Sequence, residues 1–186
     1  MHEFIRTYLR SAALLLERVE VETVSDIVEV LFAAYRAEGE IFVIGNGGSA
    51  ASASHFVCDL SKSTITDKRP RVRATCLTDN VPLLTAWAND TDYRDIFGQA
   101  LRSHARPGDV LVACTASGVS PNIVAAIRTA RKLGVTSVAL VGAPGGRMPD
   151  ECDIALVIDS TNIPQIEDVQ MLLFHAIATA MKEKMR

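Results

Sequence analysis

The sequence predicts a doubly wound α/β fold: a five-stranded parallel sheet flanked by helices, preceded by a helical pair. Three observations predict it. Short apolar runs rich in Val, Ile and Ala alternate with helical patterns along the chain. Most of the runs are continuous and not of period two, as in strands covered on both faces of a parallel sheet. Two of the runs pass directly into glycine-containing loops that open helices, as open α/β sheets do at their carboxyl edge.

The elements follow in order. Helical patterns at about 3–19 and 23–37 come first, and Leu14, Leu15, Leu16, Leu31 and Phe32 give them apolar surface. Residues 1–38 are expected to cover one face of the sheet and to form a subunit contact; residues 39–186 are expected to be the α/β core, the whole making one domain. The strand candidates are 40–45, 72–78, 109–115, 136–142 and 154–159. Helices are expected at 49–60, 81–88, 92–103, 120–133 and 165–184. The clearest is 120–133, with Ser120 at the cap, Pro121 at the first helical position and Gly134 after the end.

Composition removes several classes of function. With 48% hydrophobic and 22% charged residues over 186 positions, the chain is globular and not disordered. A net charge of −3 does not suit a nucleic-acid binder, and the one basic cluster, Lys68 to Arg73, reads as a solvated loop. No apolar run reaches the ~18–20 residues of a membrane span, and the first residues lack the basic start and apolar core of a signal peptide. None of the four cysteines, Cys58, Cys76, Cys114 and Cys152, forms a C-x-x-C pair. A reducing, cytoplasmic setting is expected, with neither nucleic acid nor membrane as partner.

The chemistry concentrates in a few segments. Gly45-Asn46-Gly47-Gly48-Ser49 follows the first strand and opens a helix. Its glycines let backbone approach an anion, and the helix N-terminus offers free N–H groups and partial positive charge. It is neither a Walker loop nor G-x-G-x-x-G. Thr115-Ala116-Ser117-Gly118-Val119-Ser120 gathers three hydroxyls at a second helix N-terminus. This hydroxyl cradle suits a sugar phosphate better than a nucleoside triphosphate. His55 and Asp59 stand one helical turn apart, a spacing that can hold a divalent metal or make an ordinary surface contact. Cys58 faces either the same place or the core. Glu167 and His175 are about 12 Å apart along one straight helix. Either the helix begins after Glu167 or the two groups reach the site from different subunits. Asn89-Asp90 makes a turn or binds sugar hydroxyls. His2 and His104 read as surface residues.

Together, residues 45–56 (GNGGSAASASHF), 88–97 (ANDTDYRDIF), 108–127 (GDVLVACTASGVSPNIVAAI) and 164–175 (PQIEDVQMLLFH) resemble the sugar-isomerase (SIS) domain family, and within it the phosphoheptose isomerases. The glycine loop and the cradle resemble SIS domains in general, and His55 and His175 point to the heptose branch. The resemblance implies a homotetramer with active sites at subunit interfaces. It implies substrate contacts from Asn46, Gly47, Gly48, Ser49, Asn89, Asp90 and Glu167, and a phosphate held by Thr115, Ala116, Ser117 and Ser120. It implies Zn²⁺, or another divalent metal, on His55, Asp59, Glu167 and His175.

Four positions depart from the family pattern. Asp59 stands for Glu and is one methylene shorter, Glu167 stands for Gln and adds a charge, and Thr115-Ala116 replaces Ser-Thr. The activity implied is aldose–ketose isomerisation of a sugar phosphate through an enediolate, sedoheptulose 7-phosphate giving a heptose 7-phosphate. His175 and a carboxylate, Asp59 before Glu167, are the expected acid and base. The competing readings are a non-catalytic phosphosugar-binding SIS tetramer that acts as a protein-interaction module, of the kind that associates with a replication initiator, and an isomerase of another phosphosugar.

Overall fold

The computed structural model describes residues 1–67, 69–143 and 145–186. The helices are α1 (His2–Glu17), α2 (Val21–Arg36), α3 (Gly48–Cys58), α4 (Val81–Asp90), α5 (Ile96–His104), α6 (Pro121–Leu133), α7 (Met148–Glu151) and α8 (Ile163–Met185). The strands are β1 (Glu40–Gly45), β2 (Arg73–Cys76), β3 (Val110–Thr115), β4 (Thr136–Gly142) and β5 (Ile154–Ile158). All pairings are parallel and the order is β2-β1-β3-β4-β5. The order reverses between β1 and β3, which is where such sheets open a crevice beyond their carboxyl ends.

The continuous apolar strands serve two cores. Ile41, Val43, Val110, Val112 and Cys114 face a layer with α2, α3 and α8. Phe42, Ile44, Leu111 and Ala113 face a second layer with α5 and α6. Alternate residues of one strand point to opposite faces, so a run apolar at every position fills both layers.

The boundaries differ from the expected ones for local reasons. β2 stops at Cys76 because Leu77 N–H still bonds Val43 O but Asp79 N–H turns back to Cys76 O. Asp109 lies outside β3; its carboxylate accepts from Glu40 N–H at 2.8 Å and Arg106 N–H at 2.7 Å, closing the amino edge of the sheet. The stretch at 92–103 begins with a 3₁₀ turn, Tyr93–Asp95, because the Asp92 side chain takes Arg94 N–H at 2.7 Å. The helix expected at 49–60 becomes a π-helical turn from Asp59 to Ser63. Asn89 and Asp90 belong to the last turn of α4, and α7 is an additional short helix.

The leading helices lie on the α8 side. Ile27, Val28, Leu31 and Ala34 of α2 enter the core. α1 is tied to α8 by Tyr8 Oη donating to Asp168 at 2.6 Å and Ser11 Oγ donating to Gln165 at 3.2 Å. Leu15 and Leu31 are buried, whereas Phe4, Ile5, Leu9 and Leu14 remain exposed. In the basic cluster, Arg69 and Arg71 are exposed and Arg73 pairs with Glu40 at 3.3 Å; Lys68 lies outside the described residues. His2, His104 and Cys58 are exposed, and Cys76, Cys114 and Cys152 are buried thiols. No helix among the described residues is long and apolar enough to cross a membrane.

Candidate active site

The two predicted loops meet at the switch point. Gly45 of β1 is in register with Cys114 of β3, so Asn46 leaves the sheet beside Thr115, the last residue of β3. Gly47 has φ +56° at the start of α3, and nothing would lie within 4 Å of a Cβ there. Gly118 has φ +66°, and a Cβ on it would strike the carbonyl oxygen of Gly145, because the loop after β4 is packed against the cradle. Gly142 N–H donates to Ala116 O at 3.1 Å and fixes that loop from below.

Within the cradle, Thr115 Oγ1 accepts Gly118 N–H at 3.3 Å and Ser117 Oγ accepts Val119 N–H at 3.4 Å. Ser120 occupies the cap position of α6, but its hydroxyl makes no capping hydrogen bond. Ser117 is exposed and Ser120 half-buried, which leaves hydroxyls facing out of the loop.

Glu167 separates the two loops chemically. It lies on α8, and a Cβ at residue 48 would be 2.6 Å from its Oε1 and 2.7 Å from its Oε2. A carboxylate therefore already rests on the N-terminus of α3, where a negative charge is favoured. Ser49 is buried beneath this point, on the Cys114 side. The Cys114 thiol donates to Gln170 Oε1 at 3.0 Å, and burial pushes its pKa up to about 12, so it stays protonated. The open anion cradle is the one after β3.

The third group is built between α3 and α8. Phe56 and Phe174, both fully buried, stack with centroids 4.3 Å apart and planes at 15°. Such a pair adds about 0.5–1.5 kcal/mol beyond its area burial. It locks the two helices together and brings their neighbours, His55 and His175, edge to face, with centroids 5.0 Å apart and planes at 68°. Their Nε2 atoms are 3.2 Å apart. Asp59 Oδ2 is 3.6 Å from His55 Nε2 and 3.5 Å from His175 Nε2. Asp59 Oδ1 accepts from Ser63 Oγ at 3.2 Å within the π-helical turn, while Oδ2 is buried with no hydrogen-bond partner among the described residues. The shorter acid still reaches both imidazoles.

This triangle fits a divalent ion. Bonds of about 2.0–2.2 Å to a tetrahedral ion place ligand atoms about 3.3–3.6 Å apart. The three edges here are 3.2, 3.5 and 3.6 Å. Two imidazoles and a carboxylate are an ordinary zinc set, and the orphaned Asp59 Oδ2 is the kind of buried acceptor that a cation satisfies. Glu167, the fourth expected ligand, is not in the group that the described residues bring together. α8 begins at Ile163, so Glu167 and His175 do share one helix, two turns apart, and only His175 reaches the triangle.

Asn89 and Asp90 hydrogen-bond each other at 2.9 Å on an exposed turn. The sequence reading missed Tyr93, just beyond them, whose hydroxyl donates to Asn46 Oδ1 at 3.1 Å. It also missed Asn122, which is buried and bonded to Asn46. A cavity of about 250 Å³ lies beside the glycine loop, lined by Asn46, Gly47, Thr78, Leu84 and Tyr93 among others.

The chain is similar to known proteins along most of its length. Residues 7–142 match the SIS domain family. A phosphoheptose isomerase of Mycobacterium tuberculosis is 41% identical over 175 residues, covering 94% of this chain and 89% of that one. A phosphoheptose isomerase of Rhodospirillum rubrum is 35% identical over 185 residues, covering 98% of each. The solved phosphoheptose isomerase from Neisseria gonorrhoeae superposes with a TM-score of 0.91 at 27% identity, over 98% of both chains. The chain belongs to the SIS domain family and groups within it with the phosphoheptose isomerases.

Proposed function

We propose that the protein is a sugar-phosphate aldose–ketose isomerase that converts sedoheptulose 7-phosphate to D-glycero-D-manno-heptose 7-phosphate. The observation that carries this reading is the His55–Asp59–His175 triangle on the same domain as an open, hydroxyl-lined anion cradle. The cradle of Thr115, Ala116, Ser117 and Ser120 takes the phosphate, far along the sugar from the reacting carbons. Binding energy gathered there positions the other end.

The reaction moves one proton between neighbouring carbons. Asp59 takes the proton from C1 of the ketose and returns it to C2 of the enediolate. His175 supplies a proton to the C2 oxygen, and the C1 hydroxyl gives one up as its carbonyl forms. Substrate and product are isomers, so no redox partner is needed. His55, Asp59 and His175 would hold Zn²⁺ or another divalent ion, which supplies Lewis-acid polarisation of the carbonyl.

The working form is a homotetramer. Two features support this: the exposed apolar face of α1, with Phe4, Ile5, Leu9 and Leu14, and the two-turn gap between Glu167 and His175. In such an assembly a second copy of the chain brings Glu167 toward the triangle, and the site is complete only at an interface. The cytoplasm is the fitting location, since Cys76, Cys114 and Cys152 are packed as buried thiols.

The test is a discontinuous assay of heptose 7-phosphate formed from sedoheptulose 7-phosphate. It is run on protein with one equivalent of zinc per chain and on chelator-stripped protein. Formation that is lost on stripping and restored by zinc is expected. Zinc-loaded, folded tetramer that leaves the ketose unchanged would contradict the reading.

A further inference from the structure

The side chain of Asn46 is already occupied by the protein. Its Nδ2 donates to Asn122 Oδ1 at 2.9 Å, and its Oδ1 accepts from Asn122 Nδ2 at 2.8 Å. The same Oδ1 accepts from Tyr93 Oη at 3.1 Å. Asn122 is 2% exposed, and its Oδ1 also accepts Ile123 N–H at 3.0 Å, a donor of the first turn of α6 that it shares with Ser120 O at 3.1 Å. A reciprocal amide pair of this kind satisfies both partners in one geometry, and breaking it from one side leaves buried polar atoms unpaired.

The position of the pair gives it a role. Asn46 stands one residue beyond the last β1–β3 pair, Gly45 with Cys114, on the loop that opens α3. Asn122 stands in the first turn of α6, two residues after Ser120. Past the edge of the sheet, the pair ties the glycine loop to the helix that carries the cradle.

We infer that Asn122 is a positioning residue that latches the glycine loop to the phosphate cradle through Asn46 and so fixes the distance between the reacting end of the sugar and its phosphate. Asn46 then meets substrate chiefly through its backbone, and Tyr93 steadies it from the far side of the crevice. This inference rests on the sugar-phosphate reading and adds to it a residue that touches neither the reacting atoms nor the phosphate.

A latch predicts a split that a structural residue does not. In Asn122→Ala the cradle keeps its own Thr115 and Ser117 hydrogen bonds, so inorganic phosphate, used as a competitive inhibitor, should bind within about twofold of the parent. A sugar phosphate held at both ends should lose about 10- to 100-fold in kcat/KM, much of it in kcat, because the reacting carbon is misplaced. Asn122→Asp is the isosteric control. It keeps the acceptor for Ile123 N–H, removes the donor to Asn46 Oδ1, and should give the same split in a protein of native circular dichroism. Phosphate affinity that falls in parallel with turnover in both variants would overturn the latch, since Asn122 would then merely build the cradle. Unchanged turnover would overturn it too. If the parent protein does not turn over sedoheptulose 7-phosphate, the functional reading fails separately. Calorimetry with that sugar phosphate and with inorganic phosphate then decides the latch: weakened sugar-phosphate binding with intact phosphate binding supports it, and equal changes overturn it.

Discussion

The glycine loop after β1 and the hydroxyl cradle after β3 are built alike, each a strand end with a positive-φ glycine and a helix N-terminus, yet they present opposite chemistry. The first already carries a negative group, the Glu167 carboxylate resting on Gly48. The second has two loop N–H groups, those of Gly118 and Val119, held by Thr115 and Ser117, and leaves the Ser120 hydroxyl without a capping hydrogen bond. Equal backbone geometry therefore does not make equal anion sites. What decides is which side chain of another element, here α8, has come to rest on the helix end.

The largest effect expected concerns neither loop but the His55–Asp59–His175 group between α3 and α8. Asp59→Asn should lower turnover by about 10³-fold, since the amide cannot accept the carbon-bound proton. Inorganic phosphate should still bind, as measured by calorimetry, because the cradle is untouched. Full activity in this variant would remove Asp59 from its role.

The glycines come next and separate the loops most sharply. Gly118→Ala combines a disfavoured φ with a collision against the Gly145 carbonyl, so the cradle must shift and phosphate binding should be lost. Gly47→Ala meets open space and carries only the backbone cost of φ +56° with ψ −123°, about 1–3 kcal/mol. Thermal unfolding and phosphate titration of the two variants read this difference.

Ser120→Ala refines the account of the cradle. A serine that only capped α6 would cost about 1 kcal/mol of stability and leave KM alone. The uncommitted hydroxyl predicts the reverse, a KM for sugar phosphate about tenfold higher at unchanged melting temperature. Steady-state kinetics beside a melting curve decides between them.

Glu167→Gln should have the smallest effect. The side chain keeps its size and its acceptor oxygen, so turnover should stay within about threefold. Loss of the charge at the α3 N-terminus should cost about 0.3–1 kcal/mol, visible in denaturant unfolding. A loss of turnover as deep as that of Asp59→Asn would transfer the base to Glu167.

Local sequence carries the two loops and their strands, because a continuous apolar run and a glycine–serine helix opening are short-range signals. Those signals also placed both loops on parallel strands that could share a crevice. Strand order is a long-range result, so the adjacency of β1 and β3 appears only in the folded chain. His55 and Asp59 show in the i, i+4 spacing. Their meeting with His175 depends on the Phe56–Phe174 stack, which no spacing along the chain announces. The same holds for Asn122, which reads as an ordinary residue after Pro121 until Asn46 is found opposite it. Glu167 is the instructive case: its distance from His175 was apparent from helix geometry, but its place on Gly48 depends on how α8 crosses α3.

The most direct measurement is proton NMR of sedoheptulose 7-phosphate with zinc-loaded protein in D₂O. The account predicts an aldoheptose signal with deuterium at C2, from an enediolate whose proton passes through Asp59, and no such signal with Asp59→Asn. Neither product nor carbon-bound exchange from folded, metal-bound protein would contradict it.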